Sequence, residues 1–154
     1  MSSTQKLKLE ELGRIDVETF KKMEKTPLII VLDNVRSMHN VGAIFRTADA
    51  FLIEKIILCG ITPQPPHREI HKAALGATES VDRTYHKPVK QAVLDLKTLK
   101  YEVLGIEQTN DSVMMTDFEI DKNKKYALVL GNEVEGISDE IISNCDAFLE
   151  IPQL

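Results

Sequence analysis

The strongest constraint on the fold is residues 27–51, PLIIVLDNVRSMHNVGAIFRTADAF. Positions 28–32 form an unbroken apolar run, the pattern of a strand buried on both faces of a parallel sheet. A polar loop follows over 33–40. Beyond it, Ile44, Ala48 and Phe51 recur at i, i+4 and i+7, so one helical face is predicted there. Asn40 stands where an N-cap is wanted, and Gly42 lets the backbone approach a neighbour closely. A strand's carboxyl end therefore delivers Asn40, Gly42 and Arg46 to one edge of the sheet, where ligands bind in open α/β folds.

The rest of the chain repeats this alternation. Apolar runs at 55–59, 101–106, 126–130 and 147–151 predict buried strands, with a shorter one at 81–85. Helical spacing appears at 68–75, 89–99 and 138–144, the last opened by Ser138 as a cap. Residues 7–25 read as one or two amphipathic helices interrupted near Gly13. The expected fold class is α/β, a mostly parallel sheet with helices on both faces. At 154 residues the chain has the length of about one domain. No apolar run reaches the ~20 residues of a membrane span, and residues 1–13 lack the apolar centre of a secretory signal. Cys59 and Cys145 are far apart and form no CxxC; Cys59, inside an apolar run, reads as a small buried hydrophobe. These features predict a cytoplasmic protein. The net charge of −5 argues against a surface coated in nucleic acid but leaves room for a local basic patch.

Several motifs are excluded by their spacing. Gly131 to Gly136 follows a strand like a phosphate loop, but Ile137-Ser138 stands where Lys-Ser/Thr is required. There is no G-x-G-x-x-G, so no standard dinucleotide fingerprint. Taken alone, the segment is a strand-to-helix turn that needs glycine. His67 and His71 lie four apart, yet Arg68 replaces the glutamate of a zincin and no third ligand is evident, so no metal is expected. No G-x-S-x-G elbow supports hydrolase chemistry. Arg46 is the sharpest candidate. A helical arginine is ordinarily solvated or ion-paired, but here Ala43 and Ala50 at i−3 and i+4 leave room beside it for a ligand or another chain.

Three segments in order resemble the SpoU/TrmH class of RNA 2′-O-ribose methyltransferases, in the SPOUT superfamily. They are Asn40-x-Gly42-x-x-x-Arg46-Thr47-Ala48, Leu130-Gly131-x-Glu133-x-x-Gly136-x-Ser138, and Ile151-Pro152. Between them, Ala74-Leu75-Gly76-Ala77 resembles the family's small-residue segment beside the active site. The resemblance spans about residues 27 to 152 and divides the chain into an N-terminal helical extension, 1–26, and a SpoU-type domain, 27–154. It implies a sheet whose C-terminal segment threads a deep trefoil knot, S-adenosylmethionine bound bent in the knotted loops, and a homodimer with active sites at the interface. The family continues past Ile-Pro with a glycine loop and a last helix. The resemblance thus implies that the threaded segment is missing here and the domain is shortened at its C-terminus.

Carried over by resemblance, Arg46 is the arginine that activates the ribose hydroxyl, and Asn40 and Glu133 shape the site. Gly131, Ile151 and Ile106 hold the cofactor largely through backbone atoms. The chemistry suits those groups. A 2′-hydroxyl is a poor nucleophile until its proton is removed or shared, and a sulfonium methyl is already activated, so positioning dominates. An arginine is an unusual base; fixing a phosphate and orienting the hydroxyl is the alternative role for Arg46. The expected partner is tRNA or rRNA. The rival readings are a non-catalytic RNA-binding or assembly protein on the same fold, and an α/β enzyme for another nucleotide-like molecule.

Overall fold

The computed structural model describes residues 3–154. Seven strands form one sheet: β1 (Thr26–Asp33), β2 (Ile53–Cys59), β3 (Arg83–His86), β4 (Tyr101–Ile106), β5 (Val113–Met114), β6 (Lys125–Leu130) and β7 (Ala147–Glu150). Their spatial order is β3-β2-β1-β6-β4-β7-β5, and every pairing is parallel. Six helices accompany them: α1 (Val17–Lys22), α2 (Met38–Ala50), α3 (Arg68–Ala74), α4 (Ala77–Ser80), α5 (Val89–Thr98) and α6 (Asp139–Ile142). The expected α/β class holds.

β1 is central and buried along its last five residues, which explains why it is a run of apolar residues rather than an alternation. Its even-numbered side chains face one core and its odd-numbered ones the other. Ile30 and Leu32 join Phe45, Val41, Ile56 and Leu58 beneath α2 and α3. Ile29 and Val31 join Val93, Val103, Val129 and Ile141 beneath α5 and α6. The register aligns Ile30 with Ile56 on one side and with Leu128 on the other, so each layer continues across strands. Phe20 of α1 is also buried in the first core. The α3 to α4 turn is made by Leu75 (φ 49°) and Gly76 (φ 90°), both left-handed.

Two details of α2 depart from the sequence reading. The N-cap is Ser37, whose side chain accepts from the Asn40 N–H; Asn40 is the third residue of the helix, not its cap. The buried stripe is Val41, Gly42, Phe45 and Ala48, while Phe51 is 67% exposed. Gly42 sets this rotation. A Cβ there would lie 2.4 Å from the Ile70 carbonyl oxygen and 2.7 Å from the Ala73 Cβ, so α3 packs directly on that face and turns the Ile44 and Phe51 side outward. The short edge strand β5, with both residues exposed, lies where the sequence reading assigned no element.

Candidate active site

Two connections leave neighbouring strands of the sheet in opposite directions. From β1 the chain runs through α2 to β2 on one side; from β6 it runs through α6 to β7 on the other. Since β1 and β6 are neighbours, a crevice opens between their carboxyl ends, the place where open α/β sheets take ligands.

Glu133, in the loop after β6, closes this crevice. Its Oε2 accepts from the Arg36 N–H at 2.8 Å, and its Oε1 accepts from the Ser37 N–H at 2.9 Å and the Asn40 Nδ2 at 3.1 Å. A carboxylate here caps the positive end of α2. Burial pulls the Glu133 carboxyl upward, but the N–H groups of Arg36 and Ser37 outweigh it and hold the group below its ordinary value. Beneath it, Asp33 ends β1 and is 1% exposed. Its Oδ2 accepts from the Ser138 N–H at 3.1 Å and the Ser138 hydroxyl at 3.2 Å, and its Oδ1 accepts from Asn34 Nδ2 at 2.8 Å. Ser138 occupies the N-cap position of α6, but its side chain makes no bond to that helix; its hydroxyl serves Asp33 instead.

The loop 131–136 is shaped residue by residue. A Cβ on Gly131 would meet the Gly136 carbonyl carbon and the Ile137 nitrogen at 2.3 Å, so only glycine lets the chain double back there. Asn132 exchanges backbone hydrogen bonds with Gly136 at 3.0 and 2.9 Å. Its side chain donates to the Asn34 carbonyl at 2.8 Å and accepts from the Val134 and Glu135 N–H groups. Gly136 has φ 69°, and its missing Cβ makes space for the Glu107 carboxylate, which accepts from the Ile137 N–H at 3.1 Å.

Ile106 and Gly131 line one cavity of about 500 Å³, together with Glu107, Glu133, Glu135 and Asp139. Ile151 is not part of it; it follows β7, on the next strand over, and is 53% exposed. Asn40 and Glu133 are in direct contact. Arg46 is not with them. Six residues at about 100° each put it roughly 120° around α2 from Asn40. It is exposed and has no hydrogen-bond or ion-pair partner among the described residues. The Ala43 and Ala50 gap does exist: both border a shallow cavity with Arg46, His39 and Lys72.

Asp33 and Glu107 were missed by the sequence reading. The available signal was a carboxylate directly after each apolar run, LIIVLD and YEVLGIE. His67 caps α3, accepting from the Glu69 N–H, and His71 Nδ1 contacts the Thr78 hydroxyl at 3.2 Å. No cluster of three or more metal-ligating side chains occurs among the described residues, and no helix there is long and apolar enough to cross a membrane. Cys59 is buried as expected, and desolvation, with the Asp33 charge nearby, pushes its thiol up to about 12.

Residues 27–154 match the family model described as "SpoU rRNA Methylase family". A Staphylococcus saprophyticus protein named for the TrmH family of tRNA/rRNA methyltransferases is 27% identical over 135 residues, covering 87% of this chain and 53% of that one. The chain spans about half the length of the curated relatives it matches. The crystal structure of an rRNA methyltransferase from Sinorhizobium meliloti is similar at a TM-score of 0.77 and 26% identity, covering 88% of this chain and 52% of that one; the same match holds for its AdoMet-bound form. The A. aeolicus TrmH/SpoU tRNA modifying enzyme is similar at 0.75 and 27% identity, covering 90% of this chain and 68% of that one.

Proposed function

Because the chain belongs to the SpoU rRNA methylase family, we propose that it transfers a methyl group from S-adenosylmethionine to a ribose 2′-hydroxyl of tRNA or rRNA, as a cytoplasmic homodimer. Residues 27–154 carry the chemistry and residues 1–26 form an N-terminal extension. The observation that carries this reading is the crevice itself: the Glu133 carboxylate is latched to the start of α2 beside the cavity that Ile106 and Gly131 share.

The residues present fit the cofactor. Gly131 brings bare backbone to the cavity wall, where any side chain would collide. Glu135 and Asp139 give the wall uncommitted carboxylates, suited to ribose hydroxyls and a cationic ligand. Bound there, S-adenosylmethionine supplies an activated sulfonium methyl. Ile106 and Gly131 would hold it from the ends of β4 and β6; Ile151, which follows β7 outside this cavity, would have to shift toward it to join them. Asn40 and Glu133 fix the geometry of the crevice mouth. Arg46 orients the ribose hydroxyl and its neighbouring phosphate through its planar fork.

Two features support a dimer. Ile44 and Phe51 of α2, with Leu28, Ile30, Leu128 and Leu130 of the sheet, border an apolar cavity of about 650 Å³ that a second copy would cover. Arg46 and the cofactor cavity lie on different sides of α2, so a site shared between two copies brings them together. The test is incubation with methyl-labelled S-adenosylmethionine and RNA from cells lacking the protein, followed by nuclease digestion. Label is expected in a 2′-O-methylnucleoside; label on a base would overturn the ribose assignment.

A further inference from the structure

A further cavity, of about 500 Å³, lies on the Arg46 side of α2. Its walls include Arg14, Ile15, Val17, Arg46, Ala50 and Leu75, drawn from the N-terminal segment, α2 and the α3 to α4 turn. Its two halves differ in character. Ile15 and Leu75 are large apolar residues left 51% and 53% exposed. Arg14 and Arg46 have no hydrogen-bond or ion-pair partner among the described residues. The one carboxylate on the wall, Asp49, is already committed, accepting from the Ser80 hydroxyl at 2.5 Å. Two guanidinium groups without a partner among the described residues share this lining with apolar side chains, and in a chain of net charge −5 they form a local site for an anion attached to a flat apolar body. A phosphate takes the fork of an arginine bidentately, and an unstacked base packs against apolar side chains.

We propose that this cavity seats the nucleotide next to the methylated ribose, with Arg14 and Arg46 on its phosphates and its base against Ile15, Val17 and Leu75. The proposal rests on the ribose methyltransferase reading, which places RNA at Arg46. It gives the N-terminal segment a role in positioning substrate, and it makes Arg14 a substrate-binding residue.

The test is fluorescence anisotropy with labelled hexauridylate, and with a hexameric ribose-phosphate chain lacking bases, against the full chain and the variants Arg14→Ala, Arg14→Lys and Ala50→Phe. Arg14→Ala is expected to weaken hexauridylate binding about five- to tenfold and to lower the salt slope by about one. Arg14→Lys recovers part of that loss. Ala50→Phe, which fills the cavity, removes the preference for the oligomer with bases. Arg14 is exposed and outside helices and strands, so its variants carry the test even if Ala50→Phe fails to fold. Unchanged affinity and salt slope in Arg14→Ala, or a wild-type protein that does not bind hexauridylate, would overturn the proposal. Methyl transfer to total RNA, tRNA and rRNA together, from cells lacking the protein is measured alongside. Weakened RNA binding with no transfer in the wild type supports the cavity while sinking the methyltransferase reading; normal transfer with no effect of the variants sinks the cavity alone.

Discussion

One helix, α2, presents two contrasting flanks. At its amino end a cluster of polar groups is engaged: Ser37 caps, Glu133 gathers two backbone N–H groups and Asn40, and the buried Asp33 is satisfied by Ser138 and Asn34. A third of a turn away, Arg46 has no partner among the described residues and stands between two alanines. A fully bonded cluster resists motion, because each group released leaves others unsatisfied. An unpaired arginine held at a cavity retains its binding capacity for something else. The first flank is therefore scaffold and the second is working surface, and mutations should separate them by what they damage.

The largest effect is expected at the scaffold's tightest point. Gly131→Ala drives a Cβ into the backbone of Gly136 and Ile137, which cannot yield as a flexible side chain would. The loop must shift, costing about 2–4 kcal/mol of stability and abolishing measurable S-adenosylmethionine binding; thermal melting and calorimetry read the two. On the working surface, Arg46→Ala should lower methyl transfer about a hundredfold or more with the melting temperature and cofactor affinity unchanged. Arg46→Lys should remain poor, since the ammonium loses the planar fork. If Arg46→Ala instead destabilises the fold, the division into two flanks is wrong.

The smallest effect is at Glu133, which is scaffold but exposed. Its carboxyl is held below its ordinary value of 4.5, so the native state favours the ionised form. The sign follows: this contribution is present above about pH 4.5 and is lost as pH falls through the lower folded value. Glu133→Gln should cost well under 1 kcal/mol at pH 7, given solvent screening. It should also flatten the stability profile as pH falls below about 4.5. Parallel pH profiles in the two proteins would remove Glu133 from the latch.

Most of the sheet was legible because β1, β2, β4, β6 and β7 are short apolar runs, which few structures other than buried strands tolerate. β5 was not, because two exposed residues at an edge carry no pattern. The rotation of α2 was misjudged for a physical reason. Ile44 and Phe51 look like core, but Gly42 admits α3 so closely that the smaller face becomes the buried one. Of the site residues, the contact of Asn40 with Glu133 follows from two motifs at adjacent strand ends. The angular separation of Arg46 from them follows only from the true helix start at Met38. Asp33 and Glu107 were hidden by being single carboxylates, each of which bonds a neighbour in sequence but ties the loop after β6 through a partner 105 or 30 positions away.

The pairing of β1 with β6 also governs the order in which the molecule can form. β1 meets β2 across one helix, but the latch joins Ser37 to Glu133, 96 positions apart. Closing so long a loop costs more chain entropy and slows folding. The β1–β2–β3 portion with α2 and α3 can thus assemble while the chain is still emerging during synthesis. The crevice itself is created only when β6 docks, close to the last step. Until then the amino end of α2 lacks its capping carboxylate, and the apolar edge of β1 is bare to other chains. Pulsed hydrogen exchange should show late protection of the Ser37 amide relative to the amides of β2.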